Sequence, residues 1–158
     1  MPDVVFGWEP FSLTIREARP LLERHWQEIA LNKERVPLDP DWDTYFELER
    51  VGALHVLAAR ADGLLVGYAS LIVRPMLHYR STLWAETDIF WLSPEYREGW
   101  TGVRLFREIL KGMKQRGVKR TDITPKLHYE QDRGGVSKIL ISLGGTPIET
   151  RFSFWTGD

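Results

Sequence analysis

Residues Trp84–Gly117 read WAETDIFWLSPEYREGWTGVRLFREILKGMKQRG and decide how the chain folds. Their first part, within Thr82 to Leu92, is rich in aromatic and β-branched residues and predicts a strand. Strict alternation would put Trp84, Glu86, Asp88, Phe90 and Leu92 on one face, and Leu83, Ala85, Thr87, Ile89 and Trp91 on the other. Two carboxylates on a central strand mean either a wet cleft beside it or an exposed face on which Glu86 pairs with an arginine. Arg97-Glu98-Gly99-Trp100-Thr101-Gly102 then makes a glycine-bearing turn. Behind it Val103, Phe106, Ile109, Leu110 and Met113 form the apolar stripe of a helix closed by Gly117. A strand that turns into a helix leaves free N–H groups at a positive dipole end, so a phosphate or pyrophosphate of a nucleotide-like cofactor is expected there.

Upstream, Thr14 and Glu17 fit a capping box, and Ala18, Leu21, Leu22, His25, Trp26 and Ile29 follow at helical spacing. Asn32 to Leu38 reads as a loop. Asp39 as N-cap with Pro40 at the first helical position starts a second helix through Trp42, Tyr45, Phe46 and Glu49, ending before Gly52. His55 to Arg60 and Leu64 to Val73 are strand-like, and Asp62-Gly63 between them signals a tight hairpin. Arg74 to Ser81, containing Pro75, breaks the pattern before the carboxylate strand. Downstream, Val118 to Thr124 predicts a strand, Val136 to Leu143 a helix capped by Gly144-Gly145, and Thr146 to Trp155 a closing strand on which Ile148, Phe152 and Phe154 alternate.

The 158 residues, 43% hydrophobic and 27% charged, suit one soluble globular domain spanning 1–158. A net charge of −1 argues against a general nucleic-acid binder, and the lack of cysteine rules out disulfides, thiolate metal sites and a cysteine acyl-enzyme. With neither a basic leader nor a long apolar run, no membrane span is expected and the location expected is cytoplasmic. There is no Gly-x-Ser-x-Gly elbow and no Walker motif. His25, His55, His78 and His128 show no metal-ligand spacing, and His25, on an apolar helical stripe, reads as a core or edge histidine.

The order of helices, hairpin, carboxylate strand, turn, basic helix, strand, short helix and closing strand resembles the GCN5-related N-acetyltransferase (GNAT) superfamily. The likeness is most specific at Leu92-Ser93-Pro94-Glu95-Tyr96-Arg97, which is similar to the strand end leading into that family's Arg/Gln-x-x-Gly-x-Gly/Ala signature. Leu143 to Glu149 resembles the family's usual close. Gly63 to Tyr68, Leu77-His78-Tyr79 and Pro94 to Arg97 are similar to small members encoded by bacteriophages. The resemblance implies an α/β (α+β) fold: a mixed, mostly antiparallel twisted sheet flanked by helices. It also implies acetyl-CoA as cofactor, its pyrophosphate on the backbone amides of Arg97, Glu98, Gly99, Trp100, Thr101 and Gly102 and its pantetheine arm beside Trp91 and Leu92. Arg97 and Gly102 match the first and last signature positions, but Trp100 stands where the family has its middle glycine.

The reaction implied is direct acetyl transfer to a primary amine, which needs a base to take the amine proton. The resemblance puts Glu86 first in that role and Asp88 second, with backbone N–H groups near Trp91 or Leu92 stabilising the oxyanion. Tyr129, with His128 beside it, is the candidate proton donor to the leaving thiolate. His78-Tyr79, before the carboxylate strand, forms a second such pair on the substrate side; either pair can equally be packing or rim. Glu34, Asp39, Asp41, Asp43, Glu47 and Glu49 lie where the family's substrate groove runs and either favour a cationic acceptor, small molecule or protein lysine, or serve as solubilising surface. Lys111, Lys114, Arg116, Lys119 and Arg120 either help to attract the adenosine phosphate of the cofactor or, as is usual for charges on an amphipathic helix, form a solvated helix face. Homodimers are common in the family. The alternative function is a GNAT-fold protein that binds and modulates a partner, which for a phage-encoded member would be a host protein in the host cytoplasm.

Overall fold

The computed structural model describes residues 3–130 and 135–157, with the side chains of residues 129 and 130 outside that description. Five strands form one sheet in sequence order: β1 (Val4–Glu9), β2 (Leu54–Ala61), β3 (Leu64–Met76), β4 (Tyr79–Leu92) and β5 (Arg120–Asp122). The first three pairings are antiparallel and β4–β5 is parallel. Helices α1 (Phe11–Ile29) and α2 (Trp42–Arg50) cover one face. Helices α3 (Thr101–Gln115) and α5 (Gly135–Ser142) pack on the other, and a short α4 (Leu127–Glu130) lies between β5 and α5. This is the mixed, mostly antiparallel sheet flanked by helices that the resemblance implies.

Covering both faces makes β3 buried without interruption from Leu65 to Leu71, as a central strand must be. Leu57, Leu71, Ala85, Phe106, Ile109 and Met113 build the core under α3. Phe11, Ile15, Ala18, Val56, Tyr68 and Trp91 build the one under α1 and α2. The β2–β3 turn is the expected hairpin, with Asp62 at φ 49° and Gly63 at φ 82°, the pair of positive angles a two-residue turn of this twist needs.

Several local expectations are corrected. A first strand, β1, precedes α1 and runs into it through Pro10, so α1 begins at Phe11 and Thr14 is buried inside its first turn. Its hydroxyl donates to the Pro10 carbonyl (3.0 Å) and to Glu9 (3.2 Å) rather than capping, and Glu17 instead accepts from Arg60. Helix α2 is capped by Asp41, which accepts from the Thr44 N–H (3.0 Å) and hydroxyl (2.6 Å), not by Asp39. Pro75 does not end the strand: β3 continues to Met76 and turns at Leu77-His78 into β4. Pairing with β2 stops at Ile72, so β3 has only β4 beside it where Pro75 sits, and a residue without an N–H is tolerated there as on an edge. Residues 146–157 form no strand. Ile148, Phe152 and Phe154 are exposed, and among the described residues no strand lies alongside to complete a ladder.

The alternation of the carboxylate strand is also corrected. Ser70 pairs with Ile89 but Leu71 pairs with Thr87, so Asp88 is an extra residue, a β-bulge. Past it the faces exchange. Phe90 packs edge-on against Phe106 of α3 (5.3 Å), while Ile89 and Trp91 join the core under α1. Asp88 therefore shares its face with Ile89 and Trp91, not with Phe90.

Candidate functional site

Pairing of β4 with β5 ends at Glu86–Asp122, just where the Trp84 indole donates to Asp122 (2.9 Å). From Thr87 to Leu92 the β5 side of β4 therefore has no strand neighbour among the described residues, and the Thr124 N–H turns to the Thr87 hydroxyl instead (3.1 Å). The strand edge so opened leads directly to the turn before α3.

That turn begins with a 3-10 segment, Pro94–Tyr96. Gly99 takes φ 64°, a value costly for any other residue, and Trp100 occupies the N-cap of α3 at an ordinary φ of −96°. The indole at the family's middle-glycine position thus escapes backbone strain because Gly99 carries the positive angle. The first α3 bond runs from the Arg104 N–H to the Trp100 carbonyl. The N–H groups of Thr101, Gly102 and Val103 have no backbone acceptor among the described residues, and the Thr101 hydroxyl turns back to the Glu98 carbonyl (3.3 Å). Trp100 itself is 71% exposed.

The side chain of Arg97 points away from this seat. Its guanidinium lies fork-on-fork with Glu28 of α1 (2.5 and 2.7 Å), and its Nε donates to the Leu92 carbonyl (2.7 Å). Glu28 also accepts from the Trp91 indole (2.7 Å). One carboxylate on α1 therefore holds both the end of β4 and the start of the turn.

On the α1 and α2 side a cavity of about 490 Å³ opens between α1, the loop 30–41, α2 and the sheet. Its sheet wall carries Val56, Tyr68, Ser70 and Ile89. Asp88 is fixed behind it, accepting from the Tyr45 hydroxyl (2.6 Å) and the Ser70 hydroxyl (3.0 Å), both residues of the wall. Burial, with the Asp88 carboxylate as a second cause, raises the Tyr45 phenol above its usual range, so it stays a donor. His25 is buried, stacked on Trp91 with its Nδ1 2.8 Å from the Tyr68 hydroxyl. Burial pushes its pKa down to about 4, so the ring is neutral near pH 7.

Of the residues singled out in the sequence, Trp91, Leu92 and the stretch Arg97–Gly102 gather at the end of β4 and the start of α3. Asp88 is exposed and, though bonded to Tyr45 and Ser70 of the wall, is not itself among the residues lining the cavity. Glu86 does not line it: its side chain is 42% exposed and faces Arg74 at 3.7 Å. His78 and Tyr79 sit at the β3–β4 turn, Tyr79 stacked on Trp84 (5.6 Å), away from the residues lining the cavity. Tyr129 belongs to α4, but its side chain lies outside the described residues. Asp39 and Asp41 line the cavity, Asp41 committed to its capping role. Sequence reasoning missed Tyr45, Ser70 and Glu28. Their signal was slight: a tyrosine on a helical stripe, a serine inside an apolar strand and a glutamate one turn from His25.

No family model and no curated relative matches the chain. Solved structures do match it over nearly their full lengths. A ribosomal-protein-alanine N-acetyltransferase from Brucella melitensis biovar Abortus 2308 is 16% identical with a TM-score of 0.69, covering 98% of this chain and 100% of its own. An aminoglycoside acetyltransferase from an uncultured soil metagenomic sample, solved with trehalose, is 12% identical with a TM-score of 0.71, covering 98% and 95%. A predicted acetyltransferase from Clostridium acetobutylicum, solved with acetyl-CoA, is 10% identical with a TM-score of 0.63, covering 96% of each chain. At these identities the likeness is one of architecture, and the chain has the fold of the GNAT acetyltransferases.

Proposed function

We propose that this protein is an acetyl-CoA-dependent N-acetyltransferase that acts on a primary amine held in the cavity between α1 and α2. One observation carries the reading above all: the unpartnered stretch of β4 runs from the cavity wall to the unpaired N–H groups of Thr101, Gly102 and Val103. Those amides, at the positive end of a 15-residue helix, suit a diphosphate, and the open strand edge suits a pantetheine arm lying beside Trp91 and Leu92. Bound acetyl-CoA supplies the thioester whose C–S bond breaks as the amine forms its C–N bond. The chain's part is to seat the amine, exclude water from the apolar cavity and accept the proton that the ammonium must lose. Neither carboxylate lines the cavity, but Asp88 suits the base role better than Glu86, because Tyr45 and Ser70 of the wall orient its carboxylate while Glu86 faces Arg74.

The test is a titration with acetyl-CoA followed by melting temperature, together with release of free thiol in the presence of amines. Asp88→Asn keeps an acceptor for Tyr45 and Ser70, so it should leave acetyl-CoA binding unchanged while lowering kcat/KM by about 10²-fold or more. Glu86→Gln should stay within a few-fold of the parent, and the opposite ranking would return the base role to Glu86. A second reading, a GNAT-fold protein that binds and modulates a partner, is favoured by the exposure of Trp100, Phe152 and Phe154. Failure of millimolar acetyl-CoA to raise the melting temperature would select it.

A further inference from the structure

The cavity carries information about the acceptor, an inference that rests on the transferase reading above. Most of its wall is apolar: Phe11, Ile15 and Leu22 inside, Trp42 from α2, and Val36 and Leu38 from the loop 30–41. Apart from Asp39 and Lys126, the hydroxyl, imidazole and carboxylate side chains on that wall are spent within the protein. His25 and Tyr68 bond to each other, and burial keeps the imidazole uncharged. Thr14 donates to Pro10 and Glu9, Tyr45 and Ser70 donate to Asp88, and Asp41 caps α2. A ligand bearing several hydroxyls and ammonium groups would lose water and find few partners. Asp88 lies just behind Tyr45 and Ser70 rather than on the wall itself, and both of its donors fall on Oδ2, so an ammonium at that end of the cavity can turn to its other oxygen.

We infer that the acceptor is a small monoamine whose nitrogen sits on an apolar, ring-sized body, with the amine toward Asp88 and the body among Phe11, Trp42 and the loop 30–41. A cavity of about 490 Å³ holds one such molecule. A polycationic, polyhydroxylated amine such as an aminoglycoside does not match this wall.

The probes are 2-phenylethylamine, ethylamine and kanamycin. Binding is read without acetyl-CoA from quenching of tryptophan fluorescence, since Trp26 and Trp42 line the cavity, and turnover is read with acetyl-CoA from thiol release. Saturable quenching by 2-phenylethylamine, at least tenfold tighter than by ethylamine or kanamycin, is the expected result. Val36→Asp, a change in an exposed loop residue of the wall, should weaken it at least tenfold and leave acetyl-CoA affinity unaltered. The inference is overturned if kanamycin or a lysine peptide is bound or acetylated better than 2-phenylethylamine, or if Val36→Asp changes nothing. Tight 2-phenylethylamine binding without thiol release would instead overturn acetyl transfer and leave the cavity's preference standing.

Discussion

Glu28 shows how much one side chain decides at the residue scale. It accepts from the Trp91 indole and both terminal nitrogens of Arg97, while Arg97 holds the Leu92 carbonyl, so the strand end and the turn are fixed to α1 through a single carboxylate. Glu28 is 17% and Arg97 34% exposed, a half-sheltered pair whose rupture costs more than that of a surface ion pair. Glu28→Ala should therefore destabilise the fold by about 1–3 kcal/mol, and the melting temperature should fall by about 2–4 °C for each of these. The loosened turn should also bind acetyl-CoA about tenfold more weakly, roughly 1.4 kcal/mol. An unchanged affinity in calorimetric titration would separate the latch from acetyl-CoA binding. His25 makes a second residue-scale prediction. In the unfolded chain it titrates near pH 6.5, in the fold near 4, so between these values the unfolded state binds more protons. Stability present above about pH 6.5 is lost as the pH falls toward 4, with a slope of at most about 1.4 kcal/mol per pH unit. His25→Gln, uncharged throughout, should lack that component in urea melts from pH 7 to 4.5. Equal pH slopes for the two proteins would show that the imidazole is not the group responsible.

At the scale of elements, the bulge at Asp88 matters more than any one contact, because it exchanges the faces of β4 and brings Trp91 under α1 while keeping Asp88 near the cavity. The close approach of β3 behind it depends on Gly67, whose missing Cβ would lie 2.7 Å from the Trp91 carbonyl oxygen and 3.0 Å from the Leu92 Cα. Both are backbone atoms and cannot swing aside. Gly67→Ala should cost about 1–3 kcal/mol as overpacking and should weaken acetyl-CoA binding by displacing Trp91 and Leu92. Retention of parental affinity and melting temperature would mean that β4 yields more easily than its pairing suggests. What was legible in the sequence follows the same division. The Asp62-Gly63 hairpin, the α3 stripe and the Gly144 cap were readable because each depends on a local backbone preference, and Gly144 does take φ 91°. The bulge was not, since alternation states only which residues can share a face and an inserted residue is set by the partner strand. The capping box failed for a related reason: Thr14 and Glu17 match the motif, but β1 and Pro10 start the helix four residues earlier. The turn before α3 was legible from Gly99, which takes φ 64°. The cavity was not, because Tyr45, Ser70 and Asp88 come from three elements that only the folded sheet brings together.

For the molecule as a whole, the cores on the two faces of the sheet divide the labour: α3 braces the sheet from behind, and α1 and α2 stand off it far enough to leave the cavity. The tail 146–157 belongs to neither core. Its apolar alternation looks like a strand, yet Ile148, Phe152 and Phe154 are exposed, so it adds little buried area to the fold. Among the described residues its ring contact is with the Arg35 guanidinium, 5.2 Å from the Trp155 ring and next in sequence to Val36 of the cavity-lining loop. A chain ended after Gly145 should then melt within about 2–4 °C of the full one, a shift equivalent to about 1 kcal/mol, and should bind acetyl-CoA with the same affinity. Loop 30–41 would lose a tether, so the acceptor's KM should rise a few-fold while kcat is held. A fall in melting temperature well beyond that range would mean that the tail stabilises the sheet after all. An unchanged KM would mean that the Arg35–Trp155 contact leaves the acceptor loop as it finds it.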